Sequence, residues 1–375
     1  MLKRFLFTLL FILMIAPAYA QENDDLETID FFLTFVPNIQ FSPLYVTNEL
    51  YMGDYGYQLK IQHGTESVGV DLIATGELPF GMIGGEQVLL ARAGGRPVVF
   101  IYEWFQKYPV GVVVPDTVTF DLENVKIGIP GRSGASYTGF IALLNALGLR
   151  ERDVTLEPIG FNAPDVVCLG GVDVSVIYVN NEPLQIQQRA DAGNCGDISS
   201  VSVVYVADYV DMVSNGIVTN EALIESNPEL VQAMVSAYDA GLAHVINNPA
   251  DAYLISLEYV DTLPITDEFR AALEAAAEAQ NAFLATNPDR EAIAQSRADL
   301  LEALRAEFEP ETLIQFEVLL ATIELWDADQ LGYTDPASWE ATLAVLEEMG
   351  TLVGDVGDLS AAYTNDFLPK HDEEE

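Results

Sequence analysis

Three short stretches of this chain carry side chains suited to holding a small molecule. Val36-Pro37-Asn38-Ile39-Gln40-Phe41-Ser42-Pro43-Leu44-Tyr45 sets Asn38, Gln40, Phe41 and Tyr45 between an apolar, β-branched and aromatic run, Thr28 to Phe35, and a short helical pattern, Leu44 to Tyr55, closed by Gly56. Asn and Gln supply donors and acceptors, and Phe supplies a flat apolar face. Val179-Asn180-Asn181-Glu182-Pro183 follows a later strand and adds two amides and a carboxylate. Gly131-Arg132-Ser133-Gly134-Ala135-Ser136-Tyr137 lies between a strand and a helix, where free backbone amides can receive an oxygen-rich group with Ser133, Ser136 and Tyr137 beside them. Its glycine spacing fits neither a phosphate loop nor a dinucleotide fingerprint, so a plain tight turn is the alternative.

Each stretch also has a purely structural explanation. Asn38 after Pro37 can bond its own backbone in a turn. Asn180, Asn181 and Glu182 can cap the helix that Pro183 starts. Trp104 and Phe105 end an apolar strand, and aromatics in strands are usually buried.

The elements that must position these side chains alternate. After the first strand come a strand at 57–62, a helix at 67–75, a strand at 79–83, a helix at 86–93 and a strand at 97–104. Val110 to Val114 leads through Pro115 into a second alternating set, with strands at 125–129, 172–179 and 201–206 and a helix near 137–147. Alternation predicts parallel-rich sheets with crossover helices, and such sheets bind ligands outside the carboxyl ends of their strands. The length exceeds what one core usually supports, so two lobes are expected. We divide the chain into 21–114 plus 207–375 as lobe 1 and 115–206 as lobe 2, with Ser214 to Thr219 returning as a strand of lobe 1. Two crossings, near 109–116 and 206–215, make a hinge beside a cleft. Beyond Asp208 the pattern is helical to Met349, and Asn227-Pro228 and Asn248-Pro249 each read as an N-cap with proline at the first helical position.

Charge removes several classes of partner. The chain has 16 basic and 58 acidic residues, for a net charge of −42. Such a surface repels nucleic acid and anionic lipid, and half the residues are hydrophobic, unlike a disordered chain. Lys3 and Arg4 precede an apolar run from Phe5 to Ile15, and Ala18-Tyr19-Ala20 supplies a cleavage site, so residues 1–20 read as an export signal. No cysteine follows that run to accept a lipid, so an exported, unlipidated and monomeric protein is expected.

Val36-Pro37-Asn38, Asn180-Asn181-Glu182-Pro183 and Tyr363-Thr364-Asn365-Asp366-Phe367-Leu368-Pro369 resemble the NMT1/THI5-like, SsuA-related group of periplasmic solute-binding proteins. The resemblance implies an α/β, type II periplasmic-binding fold: two lobes of parallel-rich sheet with flanking helices, a hinged cleft and a helical C-terminal tail. It also implies delivery of the ligand to an ABC permease with its ATPase. Members that bind thiamine pyrimidines carry an Asn-His pair where this chain has Gln40 and Phe41. Pro37 to Pro43, Gly84-Gly85-Glu86-Gln87-Val88, Gly134 to Tyr137 and Ser214 to Glu221 look more like the riboflavin-binding branch, which adds Gly85 and Glu86 to the candidates. A flavin ring needs aromatic faces, for which Phe41, Trp104, Phe105, Tyr137 and Tyr178 are available, and Asn38, Gln40, Asn180 and Glu182 could meet its uracil-like edge. The same polar groups would suit an aminopyrimidine.

The similar pyrimidine synthases rely on a histidine and a cysteine-rich iron-binding segment. Here His63, His244 and His371 are not adjacent to Asn38 in sequence, the cysteines do not cluster, and Ser133 has no Gly-x-Ser-x-Gly setting, so no catalytic residue, metal or cofactor is expected. Cys168 and Cys195 both fall in the second lobe, where either a disulfide or two buried thiols would fit an exported protein.

Overall fold

The computed structural model describes residues 26–370; the expected export signal and His371 lie outside that span. Among the described residues ten strands form two sheets. The first contains β1 (Glu27–Leu33), β2 (Tyr57–His63), β3 (Phe80–Gly84), β4 (Val98–Glu103) and β10 (Asn215–Asn220), in the order β2-β1-β3-β10-β4. The second contains β5 (Val110–Pro115), β6 (Lys126–Ile129), β7 (Thr155–Pro158), β8 (Val174–Tyr178) and β9 (Val201–Tyr205), in the order β7-β6-β8-β5-β9.

In each sheet the antiparallel strand is the one by which the chain arrives from the other lobe. β10 runs against β3 and β4, and β5 runs against β8 and β9, while β1 is parallel to β2 and β3, and β6 to β7 and β8. The geometry requires it. β4 ends at the carboxyl edge of the first sheet, so a chain stepping across there enters the second sheet at its carboxyl edge and must run away from it. This corrects the expected boundary: Val110 to Val114 belongs to lobe 2, and the first crossing is the segment between Glu103 and Val110.

The helices are α1 (Ser42–Val46), α2 (Glu66–Thr75), α3 (Gly85–Ala93), α4 (Gly134–Ala146), α5 (Ala163–Cys168), α6 (Glu182–Asp191), α7 (Glu221–Ser226), α8 (Pro228–Asn247), α9 (Pro249–Ser256), α10 (Asp267–Leu284), α11 (Arg290–Glu307), α12 (Pro310–Trp326) and α13 (Pro336–Met349). The single helix expected over 44–55 is divided: a 3-10 turn at Ile39–Phe41, α1, a π-helical turn at Thr47–Tyr51 and a second 3-10 turn at Met52–Tyr55, ended by Gly56 at φ 84°. Asn227 and Asn248 do cap α8 and α9, each side chain accepting from the backbone amide three residues on.

The C-terminal helices are not confined to lobe 1. α12 packs on the Ile39–Phe41 turn and on α6 of lobe 2, and α13 packs on α3 and on α4. Helix α13 also fixes the returning crossing, because Thr342 Oγ1 accepts from Val213 N at 3.0 Å and Ser338 Oγ donates to Asp211 at 2.9 Å. The main core spans β1, the inner strands, α8, α9 and α12, with Trp326, Tyr238 and Tyr253 fully buried; separate apolar clusters lie under lobe 2. Among the described residues no helix is long and apolar enough to cross a membrane.

Candidate functional site

The strand topology brings the carboxyl edges of both sheets face to face, and side chains from both lobes meet there. Gln40 Oε1 accepts from Asn180 Nδ2 at 3.0 Å, and Tyr178 Oη donates to Asn215 Oδ1 at 3.2 Å. Phe35, after β1, meets Phe161, after β7, edge to face at 5.0 Å. Glu66, opening α2, reaches the start of α4, where a Cβ on Gly134 would lie 3.4 Å from its Oε2.

Asn180 is the polar centre of this junction. It is 2% exposed, and its Nδ2 donates both to Gln40 and to Thr322 of α12 at 2.8 Å, while its Oδ1 has no partner. Asn181 does not cap α6; its Oδ1 accepts from the Gln185 amide at 2.7 Å, one turn on. Glu182 Oε2 instead accepts from Tyr178 N at 3.0 Å, so this carboxylate closes the loop after β8.

An aromatic stack flanks Asn180 and Gln40. Phe41 stacks on Trp104 at 5.5 Å, and Trp104 stacks on Trp326 at 5.7 Å, with Phe105 between Trp104 and Tyr178. The core explanation for Trp104 and Phe105 is met, since both are buried. Yet the indole Nε1 atoms of Trp104 and Trp326 lack any hydrogen-bond partner. Buried Trp N–H groups usually find one, so these donors stand available.

Four carboxyl groups are drawn into the same edge. Glu86 is fully buried and neither of its oxygens has a partner. Burial, with the neighbouring Glu66 charge adding, pushes it up to about 8. Burial likewise raises Glu66, although Gly84 N donates to its Oε1 at 2.8 Å. Glu182 is pushed up to about 7 by burial, the Tyr178 amide opposing this. Glu103, at the end of β4, rises to about 8 through burial despite accepting from Ser214 N at 3.1 Å. The Tyr178 hydroxyl is raised by burial and then by the charges of Glu66, Glu86 and Glu182. Among the described residues no group of three or more acidic, His or Cys side chains is placed to hold a metal ion.

Close approach explains the glycine at 85. A Cβ there would meet Val213 Cγ1 at 2.3 Å, and Gly85 N donates to Ser214 O at 3.0 Å, so this residue seats the returning crossing. Gly134, at φ 74°, opens α4 toward Glu66. The helix N-terminus expected to receive an oxygen-rich group therefore faces a carboxylate of the opposite lobe.

Other candidates are drawn away from the junction. Tyr45 is buried against Tyr259, ring centroids 4.4 Å apart, and belongs to the core. Tyr137 donates to Glu151 at 2.6 Å, beside the Arg132–Glu151 ion pair, and Ser133 is an exposed cap position whose side chain makes no cap bond. Ser136 lies half-buried in the first turn of α4. Asn38 does what a turn asparagine does: its Oδ1 accepts from Gln40 N at 3.0 Å. His63 is exposed, and its Nδ1 lies 2.6 Å from the Phe35 carbonyl; a carbonyl only accepts, so Nδ1 donates. The ring also sits 6.4 Å from Phe41, an adjacency invisible in sequence because parallel pairing of β1 and β2 creates it.

Sequence reasoning missed Glu66, Thr322, Trp326 and Asn215. Glu66 opens an ordinary helix, Thr322 sits 142 residues from Asn180, and Trp326 lies farther still along the chain from Trp104. Asn215, the first residue of a strand, gave a weak signal.

Two lobes joined at the carboxyl edges of their strands, each sheet with one reversed strand, define a periplasmic-binding-protein architecture. The NMT1/THI5-like family model matches residues 38–252, and the chain belongs to that family. The riboflavin-binding protein RibY of Chloroflexus aurantiacus is 30% identical over 357 residues, covering 92% of this chain and 87% of that protein. The formylaminopyrimidine-binding protein of Halalkalibacterium halodurans is 26% identical over 68% of this chain and 78% of its own. Among solved structures, the periplasmic sulfonate-binding protein SsuA of Methylobacillus flagellatus superposes with a TM-score of 0.57 at 16% identity, covering 92% of this chain and 93% of the other. That likeness concerns the fold.

Proposed function

We propose that this chain is an extracytoplasmic solute-binding protein of an ABC importer and that it captures riboflavin, or a closely related flavin, between its lobes. The observation that carries the reading is the junction itself: the Phe41–Trp104–Trp326 stack carries unpartnered indole N–H groups on Trp104 and Trp326, and it adjoins Gln40 and the helix of Thr322, the two partners of Asn180, whose Oδ1 also lacks one. A broad, flat heteroaromatic with both donors and acceptors on its rim answers both features. The similarity to RibY over most of the chain supports the same ligand.

The carboxylates taken alone would also suit an amine-bearing pyrimidine, the reading supported by the weaker likeness to the formylaminopyrimidine-binding protein. The likeness to RibY over most of the chain favours the flavin over the pyrimidine. A pyrimidine synthase activity has less support: His63 is engaged by the Phe35 carbonyl, and the two cysteines are joined to each other.

Titrating the purified protein with riboflavin, a formylaminopyrimidine and an alkanesulfonate, by tryptophan fluorescence and thermal shift, tests the proposal. Riboflavin should quench saturably and raise the melting temperature. Stabilisation by the pyrimidine alone would replace riboflavin with a thiamine precursor, and a response only to the sulfonate would remove both readings. Copurification with a permease tests the transport assignment.

A further inference from the structure

We infer that Phe35 and Phe161 form the gate of the junction: they meet across the margin that neither a crossing segment nor a C-terminal helix bridges, and their separation admits and releases the ligand. The inference rests on the reading of the junction as a ligand site and adds the route to it. Alternate residues of β1 divide the first sheet into two faces: Ile29, Phe31 and Leu33 pack with α8, α9 and α12, whereas Phe32 packs with α2, α3 and α13. On the first face α12 bridges the lobes, touching the Ile39–Phe41 turn and α6 and meeting Asn180 through Thr322. On the second face α13 bridges them, touching α3 and α4. At the β4 edge the two crossing segments tie the lobes covalently. The remaining margin is the opposite edge, where β1, β2 and β7 end.

Phe35 leaves β1 and Phe161 leaves β7 at that margin, and their rings meet edge to face, centroids 5.0 Å apart and planes at 78°. Each ring is held from behind. Ile159 N donates to Ile129 O at 2.8 Å, and Gly160 then takes φ 62°, a left-handed turn that suits glycine, to set Phe161 in place. On the other lobe the Phe35 carbonyl accepts from His63 Nδ1 at 2.6 Å, and the His63 ring lies 6.4 Å from Phe41. The gate loop and the first ring of the aromatic stack thus share one support. Phe161 remains 73% exposed, so the ring contact parts without opening a core. Lying on the edge away from the crossings, it moves further for a given hinge rotation than the contacts beside them.

The gate joins protein to protein, so it favours the closed form equally with and without ligand. Removing it should speed entry and exit together and leave affinity nearly unchanged, whereas removing a ligand contact weakens affinity. Stopped-flow association and dissociation of riboflavin, followed by tryptophan fluorescence, compare the unaltered full-length protein with Phe161→Ala, an exposed position whose truncation leaves the core intact. Both rate constants should rise by a similar factor, roughly two- to tenfold for one aromatic pair, with equilibrium affinity held within about twofold. Phe35→Ala should do the same, and the double variant should be no faster than either single one, because each removes the same contact. Unchanged rates overturn the gate and leave the riboflavin reading intact. Faster dissociation alone, with affinity lost by the same factor, overturns it too, because the rings would then meet only around bound ligand. If the unaltered protein binds a formylaminopyrimidine and not riboflavin, the riboflavin reading falls by itself and the same comparison is made with the pyrimidine. A protein that binds neither overturns the riboflavin reading and the gate with it.

Discussion

The two ends of lobe 2 are built on opposite rules. At the far end, where β5 finishes and β6 and β8 begin, polar groups are matched: Asp116 accepts from Ser199 N, Asp173 accepts from Lys126 N at 2.7 Å, and Lys126 Nζ donates to Gly171 O at 2.9 Å. Cys168 and Cys195 are joined there in a disulfide that borders a shallow surface groove of about 340 Å³. At the carboxyl end the same lobe presents Asn180 with an unpartnered oxygen and Glu182 with a raised pKa, against Glu86 and Trp104 of lobe 1 with unpartnered atoms. Unpaired buried polar groups typically cost about 1–3 kcal/mol each. The far end is arranged for stability, and the junction keeps unsatisfied groups where a ligand would complete them.

Breaking the far end should give the largest change in stability and the smallest in binding. The disulfide spans 27 residues, and in the chain-entropy model closing such a loop stabilises by about 3–4 kcal/mol. Cys168→Ala with Cys195→Ala should lower urea-unfolding stability by about that amount while the affinity for riboflavin stays within twofold. A matching loss of affinity would mean that the two ends are coupled, and the comparison would fail.

The junction should reveal itself through pH. Glu86, Glu103 and Glu182 have folded pKa values raised above their unfolded ones, so between the ordinary carboxylate range near 4.5 and about 8 the folded state binds more protons than the unfolded state. Stability contributed by these groups is therefore present below that window and lost as pH rises through it. Melting curves of the free protein should fall from pH 5 to pH 8. Glu86→Gln, which cannot ionise, should flatten this slope by roughly 2 kcal/mol across the window, discounted from the ideal linkage value for coupling to Glu66. An unchanged slope would mean that Glu86 is ionised in the folded state, and so hydrated or paired.

The sheets and most helices were legible because alternating apolar runs and turn residues report local structure directly. The reversed strands were not, since direction follows from how the chain steps between lobes; Val110 to Val114 reads as a strand whichever sheet it joins. At the junction, Gln40, Phe41, Tyr178, Asn180, Glu86 and Glu182 lie at the carboxyl edges because strand-to-helix loops in open sheets gather there, and Trp104 joins them from the crossing between lobes. Tyr137 and Tyr45 illustrate the limit. Both occupy the right loops or flanking helices, but their directions depend on Glu151 and Tyr259, residues that no local pattern connects to them. Thr322 and Trp326 went unseen for the complementary reason: a C-terminal helix reached the junction from outside the alternating core.

Asn180→Ala sharpens the comparison from the polar side. It removes the donor that Gln40 Oε1 and Thr322 Oγ1 share, leaving those buried groups without that partner. On the proposed riboflavin reading a loss of about 1–3 kcal/mol in binding is expected, because the contact between lobes and an unpartnered buried oxygen disappear together. Isothermal titration checks this, and an affinity within twofold of the unaltered protein would take Asn180 out of the site.

The smallest effect should come from Asn38, whose position in sequence promised more. Its Oδ1 caps the 3-10 turn through Gln40 N, and Gln40 in turn holds Asn180. Asn38→Ala should therefore cost about 1 kcal/mol of stability as a lost cap. Its effect on ligand affinity should be smaller than that of Asn180→Ala and transmitted through the Gln40 side chain. If Asn38 instead touches the ligand directly, its variant will match Asn180→Ala in lost affinity while combining additively with Gln40→Ala. If it acts by positioning Gln40, the double variant will bind no more weakly than Gln40→Ala alone, since residues in one hydrogen-bonded chain do not contribute independently. A double-variant cycle on riboflavin affinity thus separates the role of turn former from that of ligand contact.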